Sequence, residues 1–256
     1  SNAGLNAFLL AAGNAHYELA GYLLDRGADP NAAPRGWSAL HQLSWVRKAG
    51  IAGSNNPAPQ GSGTMTSLAF ARKLVAHGAD LDARVTTRPP AGITGLNFIG
   101  GTPFLLAART ADAPLMRLLA EAGADPHLTN EDNSTALMVA AGLGTSSPGE
   151  DPGTEPEVLD AVTVALDLGL DIDAVDDKGE TAMHGAAYKH LPRVVTQLAE
   201  RGADITIWNQ QNNRGATPLD IAVGMHRGMN ILSSKVTEDA IRQVMREAGV
   251  DPAARQ

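Results

Sequence analysis

The sequence predicts an all-α solenoid, built by stacking helix–turn–helix units of similar length. Two short strings recur along the chain in alternation, one opening and one closing an apolar stretch. The apolar load is also unusual in kind: hydrophobic residues make up 43% of the 256, but aromatics only 4%. A single globular core of that length draws on more large rings. Thin layers of closely approaching helices draw on Ala, Leu and Gly instead.

The closing string is Gly27-Ala28-Asp29, Gly78-Ala79-Asp80, Gly123-Ala124-Asp125 and Gly202-Ala203-Asp204, with looser copies at Gly169-Leu170-Asp171 and Gly249-Val250-Asp251. Each follows an amphipathic stretch such as Leu19 to Leu24, Leu68 to Val75 or Leu115 to Leu119. A Gly just past an apolar helical run is a C-cap, because it accepts the left-handed backbone that ends a helix. The opening string is Ser38-Ala39-Leu40-His41, Thr102-Pro103-Phe104-Leu105, Thr135-Ala136-Leu137-Met138, Thr181-Ala182-Met183-His184 and Thr217-Pro218-Leu219-Asp220. Ser and Thr are good N-caps, and Pro suits the first turn. Ala107-Ala108, Ala140-Ala141 and Ala186-Ala187 then let neighbouring helices approach closely.

Together these strings resemble the ankyrin repeat, whose hallmark is Thr-Pro-Leu-His opening the first helix and Gly-Ala-Asp closing the second. Thr102 to Thr135 and Gly169 to Gly202 each span 33 residues. The resemblance covers nearly the whole chain as one domain, with repeats at about 4–36, 37–83, 101–133, 134–179, 180–215 and 216–253. More narrowly, the chain is similar to bacterial ankyrin-repeat proteins with long insertions, which often carry an export signal and further repeats upstream. The resemblance therefore implies a C-terminal fragment. Ser1-Asn2-Ala3 reads as a cloning remnant, and the apolar Leu5, Phe8, Leu9 and Leu10 are unlike the polar face of a terminal repeat. An upstream repeat, or packing of these residues on the second repeat, would account for them.

Extra residues fall near 48–66, 84–100, 144–156 and 228–237. Gly, Ser, Asn and Pro dominate the first and third, and Pro57, Pro59, Pro148, Pro152 and Pro156 forbid a continuous helix there. The second, between repeats two and three, holds Ile93, Leu96, Phe98 and Ile99. Such an apolar cluster in a finger-like turn is either tucked onto the stack or offered to a partner.

Stacked repeats form a rigid rod whose first helices line a concave side. Helical spacing sends the Leu-like residue and the Ala pair to the core. The position between them, and those after the pair, point outward. The concave row then reads Leu10, Gln42, Leu106, Val139, Gly185 and Ile221, beside Gly13, Trp45, Arg109, Gly142, Tyr188 and Gly224. Trp, Arg and Tyr are enriched at binding hot spots, so Trp45, Arg109 and Tyr188 are candidate partner contacts. The bland alternatives are that Trp45 anchors the repeat-two insertion and Arg109 pairs with a fingertip carboxylate such as Asp132. Trp37 stands where a staple on the following helix would sit. Trp208, in a polar finger, is either folded back or a contact.

Chemistry-bearing motifs are sparse. With no cysteine, disulfides and thiolate metal sites are excluded. His41 and His184 occupy the hallmark position, and the resemblance implies a structural role bonding neighbouring backbone. There is no His-Glu-x-x-His, Walker loop or Gly-x-Ser-x-Gly string. The Asp of each Gly-Ala-Asp reads as turn chemistry. Hence no cofactor, metal or catalytic site is expected. A net charge of −8 without a basic stripe argues against nucleic acid. No apolar run approaches the ~20 residues that span a bilayer. The compartment stays open, cytoplasmic or exported. The expected function is non-enzymatic binding of a protein on the concave face and fingers. The rivals are a structural or self-assembling role, and a small-molecule sensor with a pocket between Trp45 and the nearby insertion.

Overall fold

The computed structural model describes residues 6–48, 58–88, 95–149, 151–225 and 233–253. Among them the chain is helical and without strands. Helices come in pairs, an inner then an outer: α1 (Ala7–Gly13) with α2 (Tyr17–Asp25), α3 (Ala39–Val46) with α4 (Ser67–Ala76), and α5 (Pro103–Arg109) with α6 (Ala113–Glu121). Next come α7 (Ala136–Ala140) with α8 (Glu155–Asp167), and α9 (Ala182–Tyr188) with α10 (Pro192–Glu200). A single turn, α11 (Ile205–Trp208), precedes the last pair, α12 (Pro218–Ala222) and α13 (Lys235–Glu247). Inner helices pack on inner and outer on outer along the whole stack.

Local chemistry sets these boundaries. Thr66, Thr102, Thr135 and Thr217 each accept an N–H from the first turn, at 3.1 to 3.3 Å. A cap of this kind stabilises a helix by about 1 kcal/mol. At the other end, Gly27 (φ +92°) to Gly249 (φ +75°) take the left-handed conformation. The residue after each closing Gly returns its N–H to a carbonyl five residues back, as Ala28 does to Leu23 at 3.0 Å. The following Asp then accepts the N–H two residues on, from Asp29 with Asn31 (2.8 Å) to Asp251 with Ala253 (2.9 Å). These carboxylates are therefore engaged in turns, as their spacing predicts.

Repeats are also stitched to one another. Asn31, Asp82 and Asp173 accept the N–H of the next repeat's Asp80, Asp125 and Asp204 at 2.7 to 2.9 Å. At the fingers, backbone bonds run from Thr86 to Gly36, Glu131 to Ile99, Asp177 to Asp132 and Asn213 to Lys178. The Ala pairs at 107–108, 140–141 and 186–187 are all buried, which lets inner helices close on one another.

The insertions lie back on the stack where they are described. Glu18 accepts from Thr64 N–H at 2.7 Å and from its hydroxyl at 2.9 Å, tying the first insertion to α2. In the second, Leu96 is buried, and Phe98 and Ile99 pack with it on Trp37, Val85, Leu105, Leu106 and Val139. The apolar finger is thus tucked, and Trp37 sits under it with its indole N–H donating to Thr87 O at 2.9 Å. Ile93 lies outside the described residues, as do 49–57 and 226–232 of the first and last insertions.

Candidate functional site

The concave side is covered more than helical spacing predicts. Leu106 and Val139 are 1% exposed because the apolar finger lies over them. Ile221 joins the main core, where α12 packs on α9. Gln42 is buried with its amide against Gly13. Trp208 folds back into the main core from α11. Expected as partner contacts, these five side chains are packing residues. For Leu106 and Val139 the physical reason is that a position pointing away from its own repeat meets solvent only if no other segment crosses it.

Tyr188 is corrected likewise. It is buried at the end of α9, donates to Glu180 Oε1 at 2.7 Å and accepts from Asn212 Nδ2 at 2.9 Å. Burial raises the pKa of the Tyr188 hydroxyl, and burial also raises that of Glu180. The trio locks a finger to its helix. Of the eight candidates only Trp45 keeps partial exposure, its ring 4.7 Å from that of Trp37. A cavity of about 20 Å³ lies beside it, lined by Phe98, Leu106, Arg109 and Pro152 among others. That is room for about one water; residues 49–57 of the nearby insertion, the other wall of the expected small-molecule pocket, lie outside the described residues.

Arg109 is 5% exposed and donates through Nη2 to Asp151 Oδ1 at 2.7 Å. Asp132, the expected type of partner, instead holds Lys178 and Asn97. Asp151 comes from the third insertion, and its neighbour Pro152 accepts Lys189 Nζ through its carbonyl. Glu157, at the start of α8, takes Lys48. Three cations at inner-helix C-termini, where the carbonyl ends favour positive charge, are thus met by one segment, 151–157. Arg109 Nε and Nη1 have no partner among the described residues in this buried setting. Burial, then the nearby Arg109 charge, lowers the pKa of Lys189 to about 7. Gly153 (φ +95°) makes the close approach possible, since a Cβ there would lie 2.6 Å from that of Ala111. Sequence reading missed Asp151 and Glu157; their only signal was an acidic, Gly-Pro-rich loop opposite a basic row.

His41 and His184 are structural. His41 Nδ1 accepts Ser38 N–H at 3.1 Å, and Nε2 lies 3.0 Å from Ala83 O. His184 repeats the Nδ1 bond, accepting Thr181 N–H at 3.2 Å. Burial lowers the pKa of both to about 4. Among the described residues no three His or carboxylate side chains converge as metal ligands, and no helix is long and apolar enough to cross a membrane.

Comparison with known proteins agrees with this architecture. The family model described as ankyrin repeat matches residues 3–32. The chain is 28% identical over 171 residues to the mitochondrial disaggregase of Homo sapiens, covering 59% of this chain and 22% of that protein. It is 30% identical over 94 residues to ankyrin repeat protein 14 of vaccinia virus, covering 35% and 38% respectively. It thus spans well under half the length of either relative. An ankyrin repeat domain from Acinetobacter baumannii has a similar fold, with TM-score 0.59 at 20% identity, covering 95% of this chain and 98% of that one. With its paired helices, six Gly-closed turns and hallmark strings, the chain has the ankyrin-repeat fold.

Proposed function

We propose that this chain is a non-enzymatic recognition scaffold that binds a protein partner through its fingers and the open part of its concave side. The fold is generally a protein–protein interaction module. The observation that carries the reading is the row of exposed fingertip side chains, Arg35, Arg88, Glu131, Asp177 and Arg214, on turns cross-linked by backbone hydrogen bonds. Rigidly presented loops are where binding residues concentrate. Trp45 adds a half-buried aromatic edge. The test is a pull-down with the chain as bait beside an Arg35→Glu, Arg88→Glu, Arg214→Glu variant of unchanged melting. A protein retained by the first and lost from the second supports the fingers; equal retention by both removes them as the site.

A second reading, self-assembly or stacking on further repeats, has its own observation. Leu10, Leu19 and Tyr22 of the first pair are 46 to 51% exposed. At the other end a groove of about 490 Å³ is lined by Leu219, Val223, Met225 and Met245 among others. Light scattering of the chain against Leu19→Lys, Tyr22→Lys tests it. Assembly with concentration in the first only supports it, and monodisperse behaviour of both refutes it for copies of this chain.

A further inference from the structure

The basic row at the inner-helix ends deepens the recognition reading, on which the following rests. Lys48 lies just beyond α3, Arg109 ends α5 and Lys189 follows α9. All three are engaged by segment 151–157, whose sequence is Asp-Pro-Gly-Thr-Glu-Pro-Glu. Asp151 takes Arg109, the Pro152 carbonyl takes Lys189, and Glu157 takes Lys48. Pro152 also faces the same small cavity as Trp45. The segment behaves as an acidic, proline-containing ligand that the chain supplies to itself.

We propose that the groove formed by Lys48, Trp45, Arg109 and Lys189 is a docking site for an acidic, proline-containing peptide of a partner protein, with residues 151–157 as its resident occupant.

Two observations show that the resident fit is incomplete. First, Asp151 uses one of the three guanidinium nitrogens of Arg109, and Nε and Nη1 stay buried without partners among the described residues. An Arg fork is made for bidentate carboxylates, and a ligand reaching both edges satisfies donors that the resident leaves idle. Second, Arg109 and Lys189 are both buried, 5% and 6% exposed, while among the described residues the only buried carboxylate bound to either is Asp151. The groove is short of negative charge, and an incoming Asp or Glu makes up the deficit. Charge complementarity therefore selects the ligand class, and Pro beside Trp45 adds an apolar anchor. A basic or neutral peptide gains neither.

A tethered occupant works at an effective concentration on the order of millimolar, so an external peptide is best seen when the resident is weakened. The probe is the synthetic peptide Asp-Pro-Gly-Thr-Glu-Pro-Glu with blocked ends, followed by calorimetry and thermal shift. The proteins are the unaltered chain, Asp151→Ala, and the milder Asp151→Asn in case the first does not fold. The expected result is at least tenfold tighter binding to the Asp151 variants than to the unaltered chain, with a rise in their melting temperature. That gain should vanish when Arg109→Gln is added, and with the neutral peptide Asn-Pro-Gly-Thr-Gln-Pro-Gln. No binding to a folded Asp151 variant, or equal binding of the neutral peptide, overturns the proposal. So does equal affinity for altered and unaltered chains, which places the peptide elsewhere. A partner still captured through the fingertips after such a failure leaves the recognition reading intact.

Discussion

Replacing His184 by Gln should flatten the acid side of the stability profile. The ring is buried, and burial lowers its pKa from 6.5 to about 4. The unfolded chain therefore takes up a proton near pH 6.5 that the folded chain refuses until about pH 4. Stability from this group is present above pH 6.5 and is lost as pH falls toward 4. Each tenfold difference in proton affinity corresponds to about 1.36 kcal/mol. Between pH 7 and pH 5 the loss comes to about 2 kcal/mol for one such ring, and about 4 kcal/mol with His41, whose pKa is lowered equally. The window is chosen because ordinary carboxylates titrate below it. Glu180, with its raised pKa, acts in the opposite direction. Lys189 acts mainly above the window, since its stability is lost as pH falls from 10.5 to about 7. Urea unfolding at pH 7, 6 and 5 measures the slope. His184→Gln is expected to be less stable at pH 7, because Thr181 loses its cap partner, yet to lose about 2 kcal/mol less on going to pH 5. A variant with the same pH slope as the unaltered chain would show that the buried imidazole is not the acid-sensitive group.

Three further outcomes follow from the packing. Tyr188→Phe removes a buried donor to Glu180 and acceptor for Asn212, and chemical denaturation should show a loss of about 1–3 kcal/mol. Val139→Ala should cost about 1–3 kcal/mol through the cavity it opens under Leu96 and Phe98; a solvent-facing contact residue would change stability by less than ~0.5 kcal/mol. Gly153→Ala places a Cβ 2.6 Å from that of Ala111 at φ +95°. It should unseat segment 151–157, seen as faster hydrogen exchange at Asp151 with the outer helices still protected.

The frame of this molecule was legible because its determinants are local. A Thr that caps, a Gly that turns left-handed and an Asp that bonds two residues on each act within one turn. Spacing alone therefore located the helix pairs and the six closing turns. The candidate site was not legible for the opposite reason. Arg109 and Asp151 stand 42 residues apart, and Leu106 is covered by the finger between repeats two and three. Periodicity reports which way a side chain points from its own helix and is silent on what crosses above it. Even α11 had a local mark, Asp204 accepting Thr206 N–H at 2.8 Å, but the polar residues after Trp208 concealed it.

The insertions change what the concave side can do. A standard stack leaves its inner helices open, so recognition there depends on side chains that meet solvent. Here the apolar finger converts Leu106 and Val139 into core, and segment 151–157 occupies the basic row. Any partner at that row must displace covalently tethered groups, which weakens binding but restricts it to ligands that satisfy Arg109 better than Asp151 does. Selectivity then comes from competition with the resident segment rather than from exposed contact area. Among the described residues the fingertips carry no such competitor. A partner engaging both surfaces would bind first through the fingers and gain the groove afterwards, so Asp151→Asn should accelerate only the second of two association phases.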